Sequence, residues 1–351
     1  ISFIARRFIC TEDKNGASII ISQIHKTGRN CTLDQLGELV ICTSEADDYC
    51  KKILELINSS TMFHGSQSLN QAGIPYHHVS IKTSALTPHF LEDPEAFLFT
   101  YNDICPRLQL IFSAAQKNNV FINFDAEHYH YRDVTVKLIF YFLEQNIQFK
   151  DFKYFGFVLQ AYLKDSINHF ETIKSLASPR KHLIPIRLVK GAYWDAETIE
   201  AKVKNYSSPQ FLNKVETDIQ YRHLIHLLLE NNKTFQLCVA SHNVDDHCYA
   251  EAVRDTVYPL APIIEHQTLH MTYEPLSMAC VLNGWPMRNY LPTGSLLVGM
   301  GYLVRRIMEN ASQTGVLTAV RHHNISVEDQ PLLHILREKV QSNKYISDPA
   351  L

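Results

Sequence analysis

Ile184-Pro185-Ile186-Arg187-Leu188-Val189-Lys190-Gly191-Ala192-Tyr193-Trp194-Asp195 runs an apolar strand straight into a Gly-Ala turn that opens a helix. Two cations, Arg187 and Lys190, and two aromatics, Tyr193 and Trp194, crowd the C-terminal end of that strand. In α/β folds ligands gather outside the carboxyl ends of parallel strands. A cation placed there has to be paired or solvated, so the stretch reads as one edge of a binding site. A surface turn with chance charges is the plainer alternative.

Working outward, short apolar segments recur at 31–37, 79–84, 120–125, 154–160, 184–190, 236–242, 262–266 and 287–291, with amphipathic stretches such as 134–144 and 221–230 between them. Strand–helix alternation argues for a parallel sheet. Eight such units point to a closed α/β (β/α)8 TIM-type barrel rather than an open doubly wound sheet. Segment 31–37 is the weakest strand, since CTLDQLGE also suits a loop. Residues 1–30 read as a helical N-terminal preface, 31–326 as the barrel, and 327–351 as a C-terminal helix and tail. Two loops are expected, at 65–73 and 206–210.

The 351 residues are 46% hydrophobic and 20% charged with a formal net charge of −3, an ordinary globular composition without the basic excess that marks nucleic-acid binding. The most apolar run, 134–143, is short and broken by Lys137, so no bilayer span is expected. The eight cysteines (Cys10, Cys31, Cys42, Cys50, Cys105, Cys238, Cys248 and Cys280) form no C-x-x-C pair. Neither a zinc ribbon nor a thioredoxin-type motif is supported, no metal is expected, and the thiols are read as reduced, as in cytoplasm. The chain starts without Met, which suggests a domain or processed product. Neither G-x-G-x-x-G nor G-x-x-x-x-G-K-[ST] is present, so a nucleotide would be held by some other device than a Rossmann or P-loop turn.

The strand ends share a chemical bias: Lys82; Asp125 with Glu127; Gln160 with Tyr162; Arg187 with Lys190; His242 with Asn243; Gln267 with His270; and Tyr290. Each alone is more often a cap or turn former, but a barrel brings them to one face. Lys82 and Asp125 are candidates for an ion pair at its mouth. In the late helix 295–311, Tyr302, Arg305, Arg306 and Glu309 fall at i, i+3, i+4 and i+7 and share one face. Adjacent arginines aimed inward suit an anion, and a carboxylate fits their forked donors; a solvated face with an Arg–Glu pair is the alternative.

These residues resemble the proline dehydrogenase family, most closely the corresponding domain of bacterial bifunctional proline utilisation proteins, from about Arg7 to about Gly315. The resemblance rests on Ser80-Ile81-Lys82-Thr83-Ser84-Ala85-Leu86, Ile122-Asn123-Phe124-Asp125-Ala126-Glu127, the stretch Arg187 to Asp195, and Tyr302-Leu303-Val304-Arg305-Arg306 with Glu309-Asn310. It implies a barrel carrying FAD on its C-terminal face and oxidation of L-proline to Δ1-pyrroline-5-carboxylate by hydride transfer from C5 to flavin N5. A membrane quinone is implied as acceptor, with transient peripheral contact at the inner membrane, and a pyrroline-5-carboxylate dehydrogenase as a fused or separate partner. Carried over, Arg187, Asp125 and Lys82 are the implied catalytic residues. Lys82, Asp125, Tyr193, Leu269, Tyr290, Tyr302, Arg305 and Arg306 are implied around the substrate. Gln160, Arg187, Lys190, Gly191, Ala192, Tyr193, Trp194, Ser241, His242, Asn243, Gln267, Thr268, Leu269 and Glu309 are implied around the cofactor. Ser241 replaces a frequent Thr, Thr268 a common Cys, and Phe211-Leu212 a Tyr-Thr pair that usually touches the cofactor.

Two other readings stay open on the residues alone. In an aldolase-like barrel Lys190 or Lys82 would form a Schiff base, with the double arginine clamping phosphate. A non-catalytic proline-sensing barrel would bind the ligand without reducing a dye.

Overall fold

The computed structural model describes residues 14–37, 40–59, 69–91 and 93–294. Eight strands form one closed, all-parallel barrel in sequence order: β1 Asn30–Gln35, β2 His78–Ile81, β3 Phe121–Phe124, β4 Phe155–Gln160, β5 Ile184–Val189, β6 Phe235–Ala240, β7 Glu265–Leu269 and β8 Met287–Thr293. Closure runs along the whole of β1, from Asn30 opposite Arg288 to Gln35 opposite Thr293. The helices are α1 Lys14–Lys26, α2 Thr43–Asn58, α3 Phe97–Asn118, α4 Arg132–Gln145, α5 Ser166–Ala177, α6 Trp194–Val203, α7 Lys214–Glu230, α8 Val244–Thr256 and α9 Glu274–Leu282. Among the described residues no helix is long and apolar enough to cross a membrane.

Local chemistry explains the punctuation. Helix α2 buries Ala46, Tyr49, Cys50, Ile53 and Ile57, one stripe at helical spacing. Helix α3 stops at Asn119, whose φ of 52° is left-handed and whose N–H donates to the Ala115 carbonyl, a fold-back that Asn tolerates. Helices α7 and α8 begin on Asn213 and Asn243, whose side chains accept from Val215 and Asp245 backbone N–H groups. At Gly156 in β4 an added Cβ would lie 2.4 Å from the Pro185 carbonyl oxygen, so β4 and β5 can pack this closely only with glycine there. Between sheet and helices lies an aromatic core: Phe112 contacts Phe124, Phe142, Phe149 and Phe152 at centroid separations of 4.9–6.1 Å.

The alternation along the strands is the informative departure from a usual parallel sheet, whose strands read as continuous apolar runs. Here Leu33, Val79, Ile81, Ile122, Phe124, Phe157, Ile186, Leu188, Leu237 and Val239 join the core. The intervening Ser80, Arg187, Gln267 and Arg288 bond across the barrel interior, and Asn123 donates to Asp125 two residues on. With side chains alternating faces, the lumen is polar.

Several expected bounds shift. The seventh strand lies at 265–269, not 262–266, which moves Gln267 from beyond the strand into it. The second ends at Ile81, and Thr83–Ala85 forms a 3-10 turn. Strand β1, the least secure expectation, is real, and starts at Asn30 inside the expected preface. Of that preface, α1 is helical, and residues 1–13 lie outside the described residues, as do 295–351. None of the seven described cysteines is in a disulfide; Cys31, Cys50, Cys238 and Cys280 are buried.

Candidate active site

Arg187, at the middle of β5, points into the lumen at 6% exposure. Its Nη1 donates to Asp125 Oδ1 at 2.7 Å, its Nε to Gln267 Oε1 at 2.7 Å, and both terminal nitrogens reach Ser80 Oγ at 3.3 Å. Asp125, just past β3, also accepts from Asn123 Nδ2 at 3.0 Å and from the Tyr290 hydroxyl at 2.7 Å. The guanidinium lies over the Tyr290 ring at 5.1 Å. Residues of β2, β3, β5, β7 and β8 thus converge on one guanidinium–carboxylate pair. With all three nitrogens of Arg187 engaged, its position is determined from several sides.

Lys82 is drawn to Asp34 at 2.6 Å more than to Asp125 at 3.9 Å. The pair expected at the mouth is therefore a triad, and its strongest partner was missed because Asp34 sits in the strand whose sequence also reads as a loop. Burial works against the Lys82 charge, but the Asp34 and Asp125 carboxylates outweigh it and hold the ammonium protonated well above its ordinary range. Burial likewise raises the Glu127 carboxyl, against the hydrogen bonds it accepts from Ser84.

Lys190 parts company with Arg187. Its Nζ lies 2.5 Å from Asp218 on α7 and 2.9 Å from Asp246 on α8, outside the lumen. Burial opposes ionisation of Asp246, yet Lys190 and Arg222 outweigh it and keep the carboxyl below its ordinary value of 3.8. A depressed carboxyl stabilises the fold above its unfolded pKa, and that contribution is lost as pH falls through the folded value. Asp246→Asn is therefore expected to lower stability by about 2 kcal/mol near neutrality. The gap to the parent should close as pH falls below 3.8. Denaturant midpoints at pH 7 and in the acid range would check this, and a gap independent of pH would remove the ionic account.

The other predicted positions divide. Gln160 donates to the Glu127 carbonyl at 3.4 Å. His242 Nε2 accepts from the Leu269 N–H at 3.1 Å, tying the β6 end to the β7 end, and Ser241 Oγ donates to Asp246 of α8 at 2.5 Å. Gly191 has φ of 140°, and a Cβ there would meet the Tyr162 ring at 2.0 Å; only glycine fits. Gly191, Ala192 and Trp194 are exposed, and Tyr193 packs on His128 at 4.6 Å. Thr268 is the exception: its hydroxyl is buried against Ser277 and Asn289, behind the sheet, leaving only its backbone for a ligand. Tyr302, Arg305, Arg306 and Glu309 lie outside the described residues. Asp34, Ser80, Asn123, Asp218 and Asp246 were not singled out from the sequence; the polar phase of the strands was the available signal for the first three.

A (β/α)8 barrel whose carboxyl-end mouth is lined by fixed cations and carboxylates defines a small-molecule-binding barrel of the enzyme type. The chain belongs to the proline dehydrogenase family, whose sequence profile matches residues 19–319. It is 28% identical over 309 residues to Proline dehydrogenase 1 of Bacillus subtilis (strain 168), spanning 87% of this chain and 86% of that one. It is 26% identical over 322 residues to Bifunctional protein PutA of Klebsiella aerogenes, covering 88% of this chain but 23% of the relative's length. The crystal structure of proline utilization A from Bdellovibrio bacteriovorus inactivated by N-propargylglycine superposes with a TM-score of 0.86 at 32% identity, covering 95% of this chain and 35% of that one.

Proposed function

We propose that this chain oxidises L-proline to Δ1-pyrroline-5-carboxylate with FAD as its cofactor, and that a membrane quinone receives the electrons. The observation that carries the reading is the Arg187–Asp125–Tyr290 lattice in the lumen of a barrel of this family. A dinucleotide suits the mouth: an exposed Gly191-Ala192 backbone and a Trp194 that is 42% exposed leave apolar and N–H surface that the protein's own packing does not cover. Gln160, Tyr193, Ser241, His242, Asn243, Gln267, Leu269 and Glu309 would stand around it, with Lys190 supporting the loops from behind.

FAD, when bound, supplies the hydride acceptor. The chain supplies placement and field. Arg305 and Arg306 would take the substrate carboxylate with forked donors, fixing the ring by two contacts. Tyr290, its hydroxyl committed to Asp125, offers its ring as a wall for the pyrrolidine methylenes. Arg187 sets a fixed cation where negative charge accumulates, which needs no reorganisation during the reaction. Lys82, paired with Asp34 and raised in pKa by it, is a cation there rather than a base for the amine proton. The same pairing disfavours the Schiff-base reading, because a nucleophilic lysine needs a depressed pKa while those of both Lys82 and Lys190 are raised. The K. aerogenes relative is named a bifunctional protein, which suits the reading that a pyrroline-5-carboxylate dehydrogenase, fused or separate, takes the product; a cytoplasmic location with transient contact at the inner membrane completes the reading.

The test is the visible spectrum of the purified protein. A yellow protein that bleaches on anaerobic addition of L-proline is expected. Colourless protein in which borohydride fixes a substrate to lysine would overturn the reading, and a yellow one that L-proline leaves unbleached would favour a sensor.

Two kinetic results are expected. Arg305→Met and Arg306→Met each raise KM for proline, by a loss of about 2–4 kcal/mol in transition-state binding, while flavin stays bound; an unchanged KM in both removes the clamp. L-Proline is preferred over trans-4-hydroxy-L-proline by at least about tenfold in kcat/KM, since overpacking against Tyr290 and an unmatched hydroxyl together cost roughly 1.4–3 kcal/mol. Equal efficiency on the two would mean that Tyr290 does not line the substrate site.

A further inference from the structure

Behind the sheet, between β7, α8 and α9, lies a polar cluster that the proposed reaction does not use. His247 of α8 and His266 of β7 are fully buried, and Cys280 of α9 is 1% exposed. His247 Nδ1 and His266 Nδ1 lie 2.8 Å apart, and a ring nitrogen of each histidine lies within 4.8 Å of Cys280 Sγ. No other trio of this kind occurs among the described residues.

The hydrogen bonds around the two imidazoles fix how the rings face each other. His247 Nε2 is 2.9 Å from the Ser241 carbonyl oxygen. A carbonyl only accepts, so Nε2 carries the proton and Nδ1 of the neutral ring keeps its lone pair. His266 Nε2 is 2.8 Å from Glu251 Oε1, and the other oxygen of that carboxyl group lies 3.1 Å from Arg254 Nε. The two Nδ1 atoms face each other at 2.8 Å. A proton shared between them, or a cation in its place, holds two nitrogens at that separation.

A carbonyl on one histidine and a carboxylate on the other is the support that metal-ligating histidines receive. Trp285 stacks on His266 at 4.8 Å and 19°, holding the ring plane. We propose that His247 Nδ1, His266 Nδ1 and Cys280 Sγ bind a zinc ion. Two imidazoles and a thiolate are a borderline-soft donor set suited to zinc. Tetrahedral bonds of about 2.0–2.1 Å to nitrogen need the two Nδ1 atoms about 3.3 Å apart, so the rings separate by roughly half an ångström on loading. Cys280 loses its thiol proton to solvent as the Zn–S bond forms, and the proton shared between the two Nδ1 atoms leaves as they bind the ion. The ion would tie α8, β7 and α9 together, and through His247 it would steady the Ser241 carbonyl at the end of β6. The site lies outside the lumen and is independent of the redox reading.

The test is metal analysis of the tag-free full chain, as purified and after unfolding and refolding with Zn2+ followed by gel filtration. Stoichiometric zinc is expected in one or both preparations. Co2+ refolded in its place is expected to give a thiolate-to-cobalt charge-transfer band in the near ultraviolet. Cys280→Ser should abolish that band and release the zinc, whereas Cys248→Ser, at the exposed neighbouring cysteine, should change neither. Because the cobalt spectrum is read on the parent chain, a variant that fails to fold does not blunt the test. Parent protein free of zinc in both preparations and without the cobalt band would overturn the proposal, leaving a proton shared between the two nitrogens. Copper in place of zinc would overturn the choice of ion.

Discussion

Arg187→Met is expected to lower kcat/KM for proline by about 10²–10³, the effect typical of removing one preorganised charge-stabilising donor, while the chain stays folded. The fold should survive because Asp125 keeps Asn123 at 3.0 Å, Tyr290 at 2.7 Å and Lys82 at 3.9 Å. What goes is the only group among the described residues that spans Ser80, Asp125 and Gln267 at once, and with it the cation that the proposed chemistry needs. Arg187→Lys separates charge from geometry. It retains the positive charge but cannot reach three partners with one rigid fork, so an intermediate rate is expected. Steady-state kinetics with an artificial dye acceptor, alongside far-ultraviolet circular dichroism, would read both. If Arg187→Met turns over proline at the parental rate, Arg187 serves only to hold the lumen together.

The largest loss of stability is expected from Arg288→Met, at the opposite end of the barrel. Arg288 is 1% exposed at its side chain and Glu265 0%. They pair in fork-to-fork fashion at 2.9 and 3.0 Å. The same guanidinium donates to the Cys31 carbonyl at 2.9 Å, to Pro75 at 3.0 Å and to Tyr76 at 3.3 Å, so it ties β8 to the entry of β1 and of β2. Removing one partner of a buried ion pair costs about 3–5 kcal/mol, because the remaining charge stays buried without its counter-ion. Against a typical total of about 5–15 kcal/mol, much of the chain should appear insoluble or unfold at markedly lower denaturant. Arg288→Met combined with Glu265→Leu should recover part of the loss, since no orphan charge remains. A single-mutant midpoint equal to the parent's would show that the pair contributes nothing net.

Much of this molecule could be read from local pattern. Apolar segments at regular intervals with amphipathic stretches between them implied eight parallel strands. Arg187, Asp125, Lys82, Gln160, Gln267 and Tyr290 stood out because polar residues at strand ends gather on one face once a barrel closes. The positions that slipped did so for local reasons. Pro262 and Ile263 are apolar enough to imitate a strand start, and Thr83–Ala85 continues a β-like sequence through a 3-10 turn.

Periodicity reports whether a residue faces core or lumen, and so the chain by itself determined the architecture, the chemical face of the barrel and which side chains compete for it. It carries nothing about partners far apart in sequence. Lys82 settles on Asp34 across 48 positions, Arg187 on Asp125 across 62, and Arg288 reaches back 257 positions to the Cys31 carbonyl. Lys190, three residues beyond Arg187, leaves the lumen for α7 and α8 because it lies past the strand end. His247, His266 and Cys280 match no metal-binding spacing and meet only where α8 and α9 pack behind β7. Those pairings follow from barrel closure and strand register, which depend on all eight strands at once, so only the tertiary structure could decide them.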